Sequence, residues 1–108
     1  LMNDVQHVEA ARNLAQRILK EGGAKDEERI QWVWRTITSR RPEPEETQIV
    51  LDLLLAHKER FSHDLEAAGK LISYGESVAD KEILPRELAP WTLVANLLLN
   101  LDEVVNKN

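Results

Sequence analysis

Trp91-Thr92-Leu93-Val94-Ala95-Asn96-Leu97-Leu98-Leu99-Asn100-Leu101-Asp102-Glu103-Val104-Val105 decides the fold. Read as a helix, this stretch is apolar nearly all round. Trp91, Val94, Ala95, Leu98 and Leu101 share one face, while Leu93, Leu97 and Val104 share another. Thr92, Asn96, Asn100 and Glu103 form a single polar stripe at helical spacing. A helix apolar on all sides is either buried or spans a membrane. Asp102 arrives too soon for a bilayer, which takes about 20 apolar residues. The segment is therefore expected to be a central core helix, the most buried element of the chain.

The upstream sequence supplies its neighbours. Asn3 caps a first helix, and Gln6 completes a capping box. Val8, Ala11, Ala15 and Ile18 recur at steps of three and four, joined by Leu14 and Leu19. Lys20 suits the last turn, and Gly22-Gly23 gives a left-handed stop. Asp26 is expected to cap a second helix, with Glu27 and Glu28 at its positive end. Its apolar stripe is Ile30, Val33, Trp34 and Ile37. Arg40 and Arg41 complement its far end, and Pro42 terminates it. Pro44 is a good first residue for a third helix, followed by Glu45 and Glu46. Ile49, Val50, Leu53, Leu54, His57 and Phe61 give that helix a broad apolar face.

A short fourth helix, roughly Asp64 to Ile72, carries Leu65, Ala68 and Ile72 and takes Ser62 or Asp64 as its cap. Ser73-Tyr74-Gly75-Glu76-Ser77 breaks it, and a loop runs to about Leu84. Inside a helix, Pro90 would lose a hydrogen bond. The last helix is therefore expected to start at about Ala89 or Pro90, after a loose turn at Pro85–Leu88. No strand pattern competes. The reading is all-α: one domain over 1–108, an antiparallel bundle of about five helices around a buried C-terminal helix.

Composition narrows the function. A chain of 108 residues is long enough to bury roughly two-thirds of its unfolded surface without staples. The net charge of -5 argues against nucleic acid and anionic membrane as partners. Arg35, Arg40 and Arg41 are too few for a nucleic-acid patch in an acidic chain. Cysteine is absent, which removes disulfides, thiolate metal sites and covalent haem attachment within this chain. No signal peptide or transmembrane run is visible. The opening Leu1-Met2-Asn3-Asp4 already lies at a helix edge, as expected of a C-terminal piece of a larger protein.

No catalytic motif stands out. His7 is alone on the first helix, and His57 and His63 do not have the three- or four-residue spacing of paired helical metal ligands. They read as surface or boundary histidines, so no metal and no cofactor is expected. Glu43, Glu45 and Glu46 have the residue type of an acid/base pair, but such pairs face each other across a cleft. At a helix N-terminus their charge complements the dipole instead. Asn96 and Asn100 need partners if buried. They are read as clasping the Ser73–Leu84 loop, facing a partner domain, or binding a ligand. Trp32 lies about 200° round the helix from Trp34, off the core stripe. It marks an interface or lies flat over its neighbours. Tyr74, in the loop, is the second candidate interface residue.

A family resemblance completes the reading. Asn3-Asp4 with Val8-Glu9-Ala10-Ala11-Arg12 is one part of the pattern. Glu28-Arg29-Ile30, leading to Arg40-Arg41-Pro42-Glu43-Pro44-Glu45-Glu46, is a second. Trp91-Thr92-Leu93-Val94-Ala95-Asn96 with Leu99-Asn100-Leu101-Asp102-Glu103 closes it. Together these resemble the C-terminal end of a domain of unknown function in large secreted planctomycete-type proteins. Those proteins often carry a cytochrome-c-like domain. Glu43 and Pro90 depart from the pattern and put two helix starts in doubt. The resemblance implies export, hence an extracytoplasmic (periplasmic or secreted) location. It assigns no catalytic residue, and haem is not carried over because Cys-x-x-Cys-His is missing.

Two functions follow as expectations. One is a non-catalytic helical packing or interaction module, with other domains of the parent protein as partners. The alternative is a wall of the active site of a redox or polysaccharide-directed enzyme, completed by upstream domains. A pocket lined by convergent polar groups favours the enzyme, and an open apolar patch favours the module.

Overall fold

The computed structural model describes the backbone of residues 5–106 and the side chains of residues 7–102. The expected Asn3/Gln6 capping box and the packing of Glu103, Val104 and Val105 lie outside those residues. The described chain is five α-helices, with no strand. They are α1 (Val5–Glu21), α2 (Asp26–Thr38), α3 (Pro44–Ser62), α4 (Leu65–Ile72) and α5 (Pro85–Asn106). Helix α5 touches all four others, α1 most extensively. None of the described helices is long and apolar enough to cross a membrane.

Each of the first four helices keeps its expected core stripe in part. On α1, Val8, Ala11, Ala15 and Ile18 are buried. Gly22 donates to the Ile18 carbonyl at 2.8 Å, and Gly23 takes the left-handed φ of 105° that ends the helix. Helix α2 buries Ile30, Val33 and Trp34. Its N-cap is Lys25, not Asp26, which is the first helical residue. The Glu28 carboxylate reaches back to the amides of Ala24 and Lys25, at 3.2 and 3.0 Å. Asp26 is thereby left to pair with Lys58 on α3 at 2.7 Å. At the other end, Ser39 adopts φ 63° and closes the helix on Arg35. Arg40 and Arg41 thus lie beyond the helix.

Helix α3 starts at Pro44 as expected and buries Val50, Leu54 and Phe61. Its apolar face is narrower than expected. Ile49 is 60% exposed, and Leu53 and Leu55 also face outward. Helix α4 takes Asp64 as its cap, whose carboxylate accepts from the Ala67 amide at 3.0 Å. Ala68 and Ile72 are buried, but Leu65 is exposed.

Helix α5 is the core, and it begins earlier than expected. It starts at Pro85 with Pro90 inside it, instead of at Ala89 or Pro90. Leu84 accepts the amides of Glu87 and Leu88, at 2.9 and 3.0 Å. Tertiary burial explains the longer helix: Leu88, Ala89 and Pro90 are fully enclosed. Fully burying a leucine contributes about 1.5–3 kcal/mol, which offsets much of the proline penalty of about 3 kcal/mol. The Thr92 hydroxyl, itself buried, donates to the Leu88 carbonyl at 2.8 Å. Trp91, Val94, Ala95 and Leu98 are buried, whereas Leu101 is 48% exposed. The expected buried face therefore stops one turn short.

Candidate functional site

Beside its apolar stripe, α1 carries a polar one. Glu9, Arg12, Gln16 and Lys20 recur at steps of three and four and face the same way. Together they hold the loop between α4 and α5. Arg12 is 1% exposed. Its Nη1 donates to the carbonyls of Ile72 and Tyr74, at 2.8 and 2.9 Å. Its Nη2 donates to the Ser77 carbonyl at 3.0 Å and to the Ser77 hydroxyl. Glu9 accepts the Ser77 amide at 2.6 Å and the Ser77 hydroxyl proton. Gln16 accepts the Asp80 amide at 2.9 Å, and Lys20 pairs with the Asp80 carboxylate.

These contacts shift the charges involved. The Ser77 hydroxyl and amide hold the Glu9 carboxyl below its ordinary value. Lys20 does the same for Asp80, and Asp80 raises Lys20 in return. Gly75, at φ 94°, lies so close that a Cβ there would meet the Glu9 carboxyl carbon at 2.5 Å. This clasp was missed in the sequence. Its one signal is the polar stripe itself, since the acceptors are mostly main-chain carbonyls of a remote loop.

Asn96 is buried and Asn100 half-buried. Among the described residues no hydrogen bond links either side chain to the loop, which is held from α1. Trp32 is half-buried at the edge of the core, and the Arg17 guanidinium lies 5.2 Å from its ring centroid. Tyr74 is 51% exposed. His7 and His63 are exposed, the latter 3.0 Å from Glu59. His57 is half-buried, and burial pushes its pKa down, helped by the nearby Arg60 charge. Among the described residues, no three His, Cys, Asp or Glu gather as a metal site.

Among the described residues, a cleft of about 340 Å³ with mixed chemistry lies between α2, the start of α3 and the end of α5. Trp34, Ile37, Leu98 and Leu101 give it apolar walls, and Thr38, Arg40, Glu46 and Asp102 complete the lining. Arg40, freed from the helix end, folds back as a bidentate partner of Glu46, with both N–O distances 3.0 Å. Its guanidinium also lies 5.2 Å from the Trp34 ring centroid. Glu46 accepts the Glu43 amide at 2.7 Å as well. These bonds, Arg40 foremost, hold its carboxyl below the ordinary range and raise Arg40. The helix-start role expected of the acidic run therefore falls to Glu46, which reaches back as a cap and also carries an ion pair. The Thr38 hydroxyl donates to the Trp34 carbonyl at 2.7 Å. The Trp34 Nε1–H is buried and has no acceptor among the described residues.

Geometry of this kind suits non-covalent contact. Thr38, Arg40 and Glu46 at the cleft hold the chain's own backbone or each other, and the walls offer apolar surface. No curated protein and no solved structure matches the chain. The model of a family described as PSD1, protein of unknown function (DUF1553), matches residues 1–54, which is half of the 108 residues. The helical pair α1 and α2, with the Arg40–Glu46 turn that opens α3, thus lies within the matched span, and this chain belongs to the DUF1553 family.

Proposed function

We propose that this chain is a non-catalytic helical packing or interaction module of a larger exported protein, and that it docks on the parent's other domains. The observation that carries this reading is how polar and apolar groups divide the work. Charged side chains cross-link the fold: Arg12 and Lys20 hold the loop, Lys58 ties α3 to α2, and Arg40 holds Glu46. Large apolar side chains stand outside instead, with Ile49, Leu55, Leu65, Val78, Leu84 and Leu101 all about half exposed or more. Exposed apolar surface marks contact sites where it is contiguous. The active-site-wall reading asks for polar groups free to converge on a substrate, and Arg40 and Glu46 hold each other. Export, an extracytoplasmic location and cytochrome-c-like company rest on the family resemblance.

Trp32 and Tyr74 remain the proposed contact residues, and Tyr74 is the cleaner probe. Trp32 packs on the core edge, so Trp32→Ser costs about 1–2 kcal/mol even without a partner. Tyr74 contributes its carbonyl to the clasp but not its ring, so Tyr74→Ser stays within about 0.5 kcal/mol. The test mixes this chain with the remainder of its parent, made separately, and follows the complex by size-exclusion chromatography and titration calorimetry. Co-elution of the native chain, weakened by Tyr74→Ser at unchanged melting temperature, is the expected result. No complex with the native chain ends the docking reading.

A further inference from the structure

We propose that the outer face of α3 pairs with the same face of a second copy of this chain, the two helices running antiparallel. Ile49, Leu53 and Ala56 stand at steps of four and three, so they are neighbours on one side of the helix. All three are exposed, Ile49 at 60%. The buried residues Val50, Leu54 and Phe61 lie on another side of α3, so this is a second apolar stripe that the described chain leaves uncovered. Glu45 sits one turn before the stripe and Arg60 one turn after it, on the same side. Neither forms an ion pair among the described residues; Arg60 lies 5.2 Å from the ring centroid of its neighbour Phe61.

The order of the charges chooses the partner. With a two-fold axis between Asp52 and Leu53, Ile49 faces the partner's Ala56, large against small, and Glu45 faces the partner's Arg60. Each match occurs twice, as an isologous interface requires. One register thus joins the apolar stripes and the opposite charges at their ends. A parallel pair would instead set glutamate against glutamate and arginine against arginine. Asp52 lies beside the axis, held along its own helix by the Gln48 amide, which donates to it at 2.8 Å. Two such carboxylates close together, and a stripe of only three side chains, make the pair weak and reversible. This pairing does not rest on docking to the parent, which is assigned to Trp32 and Tyr74.

Sedimentation equilibrium at physiological salt tests the pairing, with circular dichroism confirming that each variant folds. The native chain should dimerise with a dissociation constant below about 1 mM. Glu45→Arg and Arg60→Glu should each weaken that association at least about fivefold, since each sets two like-charge contacts across the axis. Mixed in equal amounts, these two variants should regain most of the native association, because each supplies the charge the other lacks. Ile49→Lys should weaken it at least about fivefold as well, without touching either end of the helix. Tyr74→Ser should leave it unchanged. A native chain that stays monomeric up to about 1 mM overturns the proposal. So does association that Ile49→Lys leaves intact, or a mixture of the two charge variants that associates no better than either alone. Should an end variant not fold, Ile49→Lys and Leu53→Lys decide the matter in the same way. Loss of docking to the parent with these results intact would count against the docking reading alone.

Discussion

Arg12 shows how one side chain can tie two distant parts of a chain. Its guanidinium is buried and donates to three carbonyls and a hydroxyl across 60 to 65 residues of sequence. Lysine carries the same charge but no planar fork, and could not reach that set at once. Arg12→Ala strands those acceptors and is expected to cost about 3–5 kcal/mol in denaturant melting. Arg12→Lys should recover only part of that. A loss below about 1 kcal/mol for alanine would place the loop's support elsewhere. None of this was legible in composition. An arginine at the margin of an apolar stripe usually faces solvent, and carbonyl acceptors leave no pattern in side-chain identity. Glu28 and Glu46 were half legible: their helix-start positions were clear, but their choice of backbone amides over solvent required the folded turn.

At the level of elements, capping and core burial divide what could be read. Pro44 and Asp64 act locally, so the starts of α3 and α4 were predictable from the sequence. Helix α5 was identified, but its start was not, because Pro90 argues one way locally and Leu88 and Ala89 argue the other way only when packed. Its far end was misjudged in the opposite sense: Leu101 has the period of a core residue without a neighbour to cover it. An alanine series tests both ends. Leu88→Ala and Leu98→Ala should each cost about 2–5 kcal/mol, and Leu101→Ala less than about 1 kcal/mol. If Leu88→Ala proved as mild as Leu101→Ala, the first turn of α5 would not be part of the core.

For the whole molecule, the expectation is a fold that stands without a cofactor and weakens in acid. Its melting temperature should be indifferent to a chelator, and a drop would reveal a metal contribution. Acid acts through Glu9, Asp80 and Glu46, whose folded-state values are depressed. Their contribution is complete above the ordinary carboxylate range and is lost as pH falls through the depressed values. Glu9→Gln should therefore be less stable than the native chain near neutrality, with the difference closing in acid. A difference that persists unchanged at low pH would mean that Glu9 holds the loop without its charge. His57 adds to the same slope: burial disfavours its protonated form, so stability begins to decline as pH falls through the ordinary histidine range.

The pairing of α1 with α5 also sets an order of events during synthesis. The first of these helices to leave the ribosome finds its main partner in the last. Until α5 emerges, the α1 stripe of Val8, Ala11, Ala15 and Ile18 lacks its most extensive partner. Closure across so much chain is slow relative to local helix formation. Folding must therefore come late and nearly all at once, with the N-terminal stripe open to chaperones in the meantime. Within this chain, α1 is thus the element that waits longest for its main partner.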